Sequence, residues 1–400
     1  MKTTKLTVVV VSYNVKHYVE QCLNSLEKAL DGIDSRVIVV DNHSKDGSAT
    51  YLSRRFRGHG VEVIDSNRNL GFARANNLAI RQSASEYVLL LNPDTIVGEN
   101  TLRDALDFMD SHPKAGGVGV RMQNSDGSYA LESRRGMPTP FTAFCKMAGL
   151  CALFPHSRTF GRYYMGYLSW DEPCRIDVVS GAFFLLRREA LDRVGLLDED
   201  FFMYGEDIDL SFRLLRGGYE NWYLPLPLLH YKGESTQKSS FRYVHVFYRA
   251  MLIFFRKHYS HLSFCISQPI KLAIYVKAML ALIKMQCDKM RRFLAVSNNT
   301  PDVVYVFMGS KAMLDACAAI SRRKGLTSRY CTERTKVEAE MEALTSTATD
   351  KTITYVVFDT AVFSYSQMLT LMAAHHHRNI RLGTFNGRTK MIITPNEIIK

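Results

Sequence analysis

The sequence has no CxxC pair and none of the cysteine and histidine spacings that hold structural zinc. Its eight cysteines are scattered over 400 residues, which argues against a disulfide framework and reads as reduced thiols in a cytosolic protein. A GxGxxG turn and a Walker lysine loop are both missing, which disfavours a dinucleotide dehydrogenase or a P-loop enzyme. Repeats and low-complexity tracts are absent as well. The opening "MKTTKLTVVVVSYN" is apolar only until Ser12 and Asn14 break it, too short for a secretory leader and better read as a buried strand. Acidic residues are in short supply, 39 against 51 Lys and Arg, giving a formal net charge of +12. That excess points to an anionic partner, whether a nucleotide, a nucleic acid or an anionic membrane, although a merely basic surface has the same composition.

What is present first is an alternation. "LTVVVVSYN" is an apolar β-branched run that predicts a buried strand, "RVIVVDN", "VEVIDS" and "EYVLLLNPD" predict further strands, and the segments between them have helical spacing. In the first helix Tyr18, Cys22, Leu26 and Leu30 share a face; the second, "DGSATYLSRRF", has Asp46 or Ser48 as its cap. This β-α-β-α-β-α-β series implies a parallel sheet with helices on its faces. After it come a helix in "TLRDALDFMDSHP", a strand and a turn at Asn124–Gly127, and "RIDVVSGAFFLLRREALDRVG", with a small-residue break at Gly181–Ala182. A catalytic domain is expected over 1–239.

The segment 240–296 is apolar and aromatic with Arg and Lys threaded through, and Lys271, Lys277 and Lys284 interrupt its second half. No clean 18-residue apolar window exists, so a spanning helix is not expected. A basic amphipathic helix lying on an anionic membrane fits, and so does a buried interdomain helix pair. A linker around Ser297–Asp302 precedes a second strand and helix alternation, a small α/β domain of unknown role over 297–400. Its "HHHR", His375 to Arg378, suits a helix C-terminus better than a metal.

Sheets of this kind bind ligands beyond the carboxyl ends of their strands. Here all four ends are polar: Ser12–Tyr13–Asn14, Asp41–Asn42, Asp65–Ser66–Asn67 and Asn92–Pro93–Asp94. Asp94 is expensive to desolvate there unless it is paired or binds a hard cation such as Mg²⁺ or Mn²⁺; the plain alternative is a turn cap. Asp41 can accept the N–H of a pyrimidine ring and Asn42 can add a contact. Asn69 and Gly71 stand at a helix N-terminus whose free N–H groups suit a diphosphate, with Arg74 adding charge. The stretch "FMYGEDIDLSFRL" crowds Glu206, Asp207 and Asp209 among apolar Phe202, Ile208, Leu210 and Phe212. Such carboxylates are either a helix start, partners of a cation, or proton carriers; Asp209 is placed to pair with Arg213 one turn on.

Taken in order, "VVVVSYN", "VVDNHSKDGS", "NLGFARANN", "LLLNPD", "VSGAFFLLRREAL", "FFMYGEDIDLSFRL" and "HYKGEST" resemble the motif series of family 2 glycosyltransferases, nearest to bacterial rhamnosyltransferase-like members, over about residues 5 to 260. The resemblance implies an α/β nucleotide-diphospho-sugar transferase fold of the GT-A type, with a Rossmann-like mixed sheet. It places Ser12, Tyr13 and Asn14 in the loop that touches the nucleoside and makes Asp41 the base-binding carboxylate, with Asn42 beside it. Asn69, Gly71 and Asn76 match the ribose and phosphate region. Asn92–Pro93–Asp94 stands where the family has its DxD motif, with Asn for the first Asp; Asp94 is the implied ligand of a divalent metal, and His230 can complete its shell. Gly181 and Ala182 would admit sugar or acceptor. "GED" contributes the catalytic base, Asp207 first and Glu206 second.

The function so implied is inverting, metal-dependent transfer of a sugar from a dTDP or UDP donor, with rhamnose in view, to a glycan or lipid-linked acceptor in cell-surface polysaccharide synthesis. The enzyme would be cytoplasmic, peripheral at the inner face of an anionic membrane, and would not bind nucleic acid. One rival, a sugar nucleotidylyltransferase, would need a glycine-rich loop that "VVVVSYNVKHY" lacks. Another is a non-catalytic assembly scaffold, supported only by Asn92.

Overall fold

The structure, a computed structural model, describes residues 4–231, 241–259, 301–332, 337–349 and 351–400, with scattered positions between 268 and 287. In chain order the first part runs β1 (Leu6–Ser12), α1 (Lys16–Ala29), β2 (Ser35–Asp41), α2 (Ser48–Arg55), β3 (Val61–Asp65), α3 (Phe72–Arg81), β4 (Tyr87–Leu91) and β5 (Thr95–Val97). It continues with α4 (Thr101–Ser111), β6 (Ala115–Gln123), α5 (Pro140–Met147), α6 (Leu150–Leu153), β7 (Cys174–Ile176), β8 (Phe183–Arg187), α7 (Arg188–Val194), α8 (Glu206–Arg216), β9 (Glu220–His230) and α9 (Phe241–Tyr259).

The β-branched run of β1 is buried along its whole length and takes the middle of the sheet, with β2 and β4 parallel on either side. The full order is β3-β2-β1-β4-β8-β6-β9-β5, with β7 added on β9. Strand β8 runs antiparallel between β4 and β6, so the sheet is mixed. A strand buried on both faces has no polar alternation to keep, which is why these strands read as continuous apolar runs. In α1, Tyr18, Cys22 and Leu26 are buried. Helix α2 departs in detail from expectation. Its cap position is Gly47, left-handed at φ 74°, while Asp46 one residue earlier accepts the Ser48 N–H at 3.1 Å.

Residues 302–399 form a second sheet, β10 (Asp302–Met308), β11 (Thr327–Cys331), β12 (Thr352–Asp359), β13 (Ile380–Asn386), β14 (Met391–Ile393) and β15 (Ile398–Ile399), in the order β11-β10-β12-β13-β14-β15. The helix Tyr365–Ala374 ends with His375 at its C-cap, so the histidine run begins where that helix stops. This sheet is not set apart. Val306, Met308, Phe358 and Met368 belong to the same buried cluster as Val8, Cys22 and Leu91. Tyr18 Oη donates to the Thr394 carbonyl at 2.8 Å, and the Glu99 carboxylate accepts the N–H groups of Tyr365 and Ser366 at 2.7 and 2.8 Å. The Asn124–Gly127 turn presses so closely on the helix Tyr365–Ala374 that a Cβ on Gly127 (φ 83°) would lie 1.8 Å from the Met372 carbonyl oxygen.

Helix α9 lies on α8. Ala250 and Phe254 are buried with Phe201 and Val178, Lys257 pairs with Asp198 and with Asp200, and His258 meets Asp209 at 2.7 Å. The first half of the basic 240–296 segment is thus a packed helix. In the second half, the described positions Leu272, Tyr275, Val276, Met279, Leu280 and Ile283 are helical and exposed, at the spacing of a single helix face. Lys271, Lys277, Lys284 and the linker at 297–300 lie outside the described residues, as does the "KGEST" that follows Tyr231. Among the described residues, no helix is long and apolar enough to cross a membrane.

Candidate active site

The sheet delivers the polar strand ends to one edge. Ser12, Asp41 and Asp65 are successive partners across β1, β2 and β3. Beside them Leu91 pairs with Phe183, and the Asn92 N–H donates to the Ala182 carbonyl at 3.0 Å, so Gly181–Ala182 arrives next to the end of β4. The chain then turns at Asp94 into β5, which pairs antiparallel with β9 and sets Thr95 opposite His230. That pairing brings residues 136 positions apart into contact: His230 Nε2 lies 3.3 Å from Asp94 Oδ1 and 3.2 Å from Asn92 Nδ2.

A cavity of about 310 Å³ opens at this edge. Of the residues expected at the site, Tyr13, Asn42, Asn69, Gly71, Asn92, Asp94, Gly181, Ala182, Glu206, Asp207 and His230 line it. Asp94 and Asp207 therefore share one chamber.

Four expected residues do not line it. Ser12 is fully buried at the end of β1, with no hydrogen-bond partner for its hydroxyl. Asn14, left-handed at φ 57°, staples two loops: its N–H donates to Ser44 Oγ at 2.9 Å and its Oδ1 accepts the Lys45 N–H at 2.7 Å. Asp41 is 1% exposed; one oxygen accepts the Ser44 N–H, the other has no partner, and burial pushes the carboxyl up. Asn76 is buried with its amide donating to the Phe72 carbonyl inside α3.

Three N–H groups leading into α3 are occupied: Leu70 donates to Asn42 Oδ1, Gly71 to Asn69 Oδ1 and Phe72 to the Phe202 carbonyl, at 2.7, 2.9 and 2.7 Å. Asn42, Asn69 and Gly71 are one hydrogen-bonded unit that shapes the chamber wall. Arg74 faces Glu199 at 3.6 Å and is not among the lining residues. Phe202, one of the apolar residues of the acidic stretch, precedes α8 and is 41% exposed, lining the chamber.

The acidic stretch opens α8, whose N-cap Gly205 is left-handed at φ 87°, following Tyr204 at φ 69°. These two left-handed residues turn the chain so that Glu206 and Asp207 face the chamber from the helix N-terminus, where the dipole favours negative charge. Asp207 Oδ2 accepts from Arg135 Nη2 at 2.5 Å and from the Gly181 N–H at 3.1 Å. Arg135 is the functional neighbour that sequence reasoning did not single out. It lies 72 positions away and the only signal was a pair of arginines in "ESRRG". Glu206 is buried with one oxygen unpartnered; burial, then the Asp207 charge, push its carboxyl up to about 8. Asp209 points away and pairs with Arg213 at 2.7 Å, as its spacing implies.

Two carboxyls side by side with environments that differ this much suit different proton roles. The chamber can hold an anionic ligand between a metal-competent Asp94–His230 pair and an acidic wall. Among the described residues, no group of three or more His, Cys, Asp or Glu gathers round a metal position. A cation here would complete its shell with water and substrate oxygens, as Mg²⁺ does.

The description "Glycosyl transferase family 2" matches residues 7–195. The N-acetylglucosaminyl-diphospho-decaprenol L-rhamnosyltransferase of Mycobacterium tuberculosis is 30% identical over 270 residues, 64% of this chain and 86% of that protein. The low-salt glycan biosynthesis hexosyltransferase Agl10 of Haloferax volcanii is 26% identical over 215 residues, 53% of this chain and 62% of that one. Among solved structures, a mannosyltransferase of Pyrobaculum calidifontis in complex with GDP-Man and Mn²⁺ aligns over 81% of this chain and 82% of its own, with 18% identity and a TM-score of 0.44. With the mixed, parallel-rich sheet and the motif series converging on one chamber, the match to the rhamnosyltransferase settles the assignment: the chain belongs to glycosyltransferase family 2, has its nucleotide-diphospho-sugar transferase fold, and is a glycosyltransferase.

Proposed function

We propose that this glycosyltransferase moves a sugar, with inversion, from a pyrimidine nucleotide diphosphate (dTDP or UDP) to a hydroxyl of a glycan or lipid-linked acceptor in cell-surface polysaccharide synthesis. The observation that carries the reading is the shared chamber: Asp94 and Asp207 face one space of about 310 Å³. The name of the relative that is 30% identical makes dTDP-rhamnose the first donor to test.

Asp207 takes the proton of the acceptor hydroxyl. The oxygen attacks the anomeric carbon from the face opposite the diphosphate, and the bond to the diphosphate breaks. Arg135 and the Gly181 N–H hold the Asp207 carboxylate in one orientation through contacts at 2.5 and 3.1 Å, so Arg135 is a positioning residue. Glu206, with its carboxyl pushed up to about 8, is protonated at neutral pH and cannot serve as the base there, which leaves that role to Asp207.

The donor set at Asp94 and His230 fits Mg²⁺ or Mn²⁺: one carboxylate and one imidazole, 3.3 Å apart and facing the chamber. When bound, the metal supplies neutralisation of the charge that develops on the leaving diphosphate. The net charge of +12 and the exposed apolar face at 272–283 support a cytoplasmic enzyme held at an anionic membrane surface.

The test is thermal unfolding with a panel of nucleotide sugars and Mn²⁺, because a ligand of the folded state raises the midpoint by mass action. The proposal expects one or two pyrimidine nucleotide sugars to stabilise the chain and a dinucleotide such as NAD to have no effect. No shift with any nucleotide sugar would overturn it.

A further inference from the structure

The corner that carries Asp94 and His230 is built on little. Strand β5 is three residues long and stands at the edge of its sheet, bonded to β9 on one side. A strand so short and so placed opens readily unless something packs behind it. Its register nevertheless sets the site. Thr95 pairs with His230 and the Tyr231 N–H donates to the Asp94 carbonyl at 3.0 Å, which leaves Asp94 Oδ1 3.3 Å from His230 Nε2. A metal-ligating histidine ordinarily has its other ring nitrogen fixed by a hydrogen bond. His230 Nδ1 is buried with no partner among the described residues, so the backbone has to do that fixing.

The bracing comes from the second sheet. Gln21 of α1, buried behind the corner, donates from Nε2 to Tyr231 Oη at 3.3 Å and to Thr384 Oγ1 of β13 at 2.5 Å. One turn earlier on α1, the Tyr18 ring meets the Tyr231 ring edge to face at 5.7 Å, and its hydroxyl donates to the Thr394 carbonyl at 2.8 Å. The other end of β5 is held directly. Glu99, two residues beyond it, accepts the N–H groups of Tyr365 and Ser366, and its own N–H donates to Ser366 Oγ at 3.1 Å. Between these ends Ile96 and Val97 share a buried cluster with Tyr365, Met368 and Leu369. Buried hydrogen bonds have direction, so they fix one arrangement where apolar packing alone would tolerate several.

We propose that the sheet of residues 302–399 is a positioning element for the cation site. Through Gln21 and Tyr231 at one end of β5, and Glu99 at the other, it holds Asp94 and His230 beside each other. Gln21 is the central positioning residue, since its one amide joins Thr384 to Tyr231. Gln21, Tyr231, Thr384 and Glu99 do not line the chamber, so they act through the corner and not on the ligand. The proposal rests on reading Asp94 and His230 as the metal pair, and it gives a role to a region that the family match over 7–195 does not reach.

Two measurements on the full chain test it. Calorimetry gives the factor by which saturating Mn²⁺ tightens the binding of dTDP and of UDP. Amide exchange over residues 94–99 and 226–231, read by mass spectrometry without metal, gives the opening of the corner. Gln21→Met, which removes both donations, and Thr384→Val should each cut the Mn²⁺ factor about three- to tenfold, less than the roughly 10–100-fold cost of losing a group bonded to the ligand itself. Both should speed exchange at the corner and leave nucleotide affinity without Mn²⁺ unchanged. Thr384→Ser, which keeps the hydroxyl, should match wild type in every reading. Leu314→Ala is the control: it lies in a separate buried cluster on the other face of the second sheet and should lower stability without moving the Mn²⁺ factor. An unchanged Mn²⁺ factor in Gln21→Met and Thr384→Val would overturn the proposal even if exchange were faster, because the sheet would then be a structural support only. An equal loss in Leu314→Ala would overturn it too, since general destabilisation would explain the effect. A wild-type protein whose nucleotide binding ignores Mn²⁺ would sink the metal reading itself; a normal wild-type factor with unshifted variants would sink this inference alone.

Discussion

Replacing Glu206 by Gln should stabilise the protein, and by more as the pH rises. A buried carboxyl moved from 4.5 to about 8 resists ionisation in the folded chain only. Between those values the unfolded chain has released this proton and the folded chain has not, so each rise in pH favours unfolding. Below about pH 4.5 both states are protonated and the penalty is absent; above about pH 8 both are ionised and it is complete. At about 1.4 kcal/mol per pH unit the ceiling is roughly 5 kcal/mol. The nearby Arg135 guanidinium opposes the shift, and because real interiors relax around a buried charge we expect about 2–3 kcal/mol. Glutamine keeps the shape and cannot ionise. Urea unfolding of both proteins at about pH 5, 6, 7, 8 and 9 reads the effect. The stability advantage of Glu206→Gln should grow from pH 5 to pH 8 and then level off. Parallel curves at every pH would mean that Glu206 ionises normally, and the division of proton roles between Glu206 and Asp207 would fail with it.

Gly71→Ala tests the chamber wall: at φ 80° a Cβ would sit 2.5 Å from the Phe202 carbonyl oxygen, so the variant should lose about 1–3 kcal/mol of stability and bind nucleotide sugar more weakly in a calorimetric titration. Asn92→Asp puts a second carboxylate beside His230, where Asn92 Nδ2 now lies 3.2 Å away, and should lower the Mn²⁺ concentration that gives half-maximal transfer. Glu99 is pushed up by burial but held below the usual carboxylate range by the N–H groups and hydroxyl at the start of the helix Tyr365–Ala374. Its stabilisation is therefore present above about pH 4.5 and is lost as the pH falls through the lower folded value. Glu99→Ala should cost about 1 kcal/mol at neutral pH, and less in acid, by urea unfolding.

In the first half, β1, β2 and β4 were legible because buried parallel strands carry uninterrupted apolar runs, and each ends in polar residues. The pairing of Asp209 with Arg213 followed from helical spacing alone. His230 beside Asp94 was reachable only through family resemblance, since β9 and β5 meet by a long-range antiparallel pairing that no local pattern encodes. Arg135 was missed for the same reason: nothing distinguishes it from Arg134, which turns the other way and stacks 3.6 Å from the centre of the Trp170 ring. The N–H groups of Leu70, Gly71 and Phe72 looked free because sequence cannot show that Asn42, Asn69 and the Phe202 carbonyl already occupy them. Helix Val337–Thr347 and the exposed, polar β11 gave little periodic signal.

The central claim is that one chamber separates a cation-holding edge at Asp94 from a proton-accepting wall at Asp207. Measuring transfer and Mn²⁺-dependent nucleotide-sugar binding side by side in Asp207→Asn and Asp94→Asn tests it most directly. Asp207→Asn should lower turnover by about 10²–10⁴, the span of a lost general base, with donor affinity kept. Asp94→Asn should lose the metal-dependent part of donor binding. Undiminished turnover in Asp207→Asn, or Mn²⁺-dependent donor binding that survives in Asp94→Asn, would contradict the account.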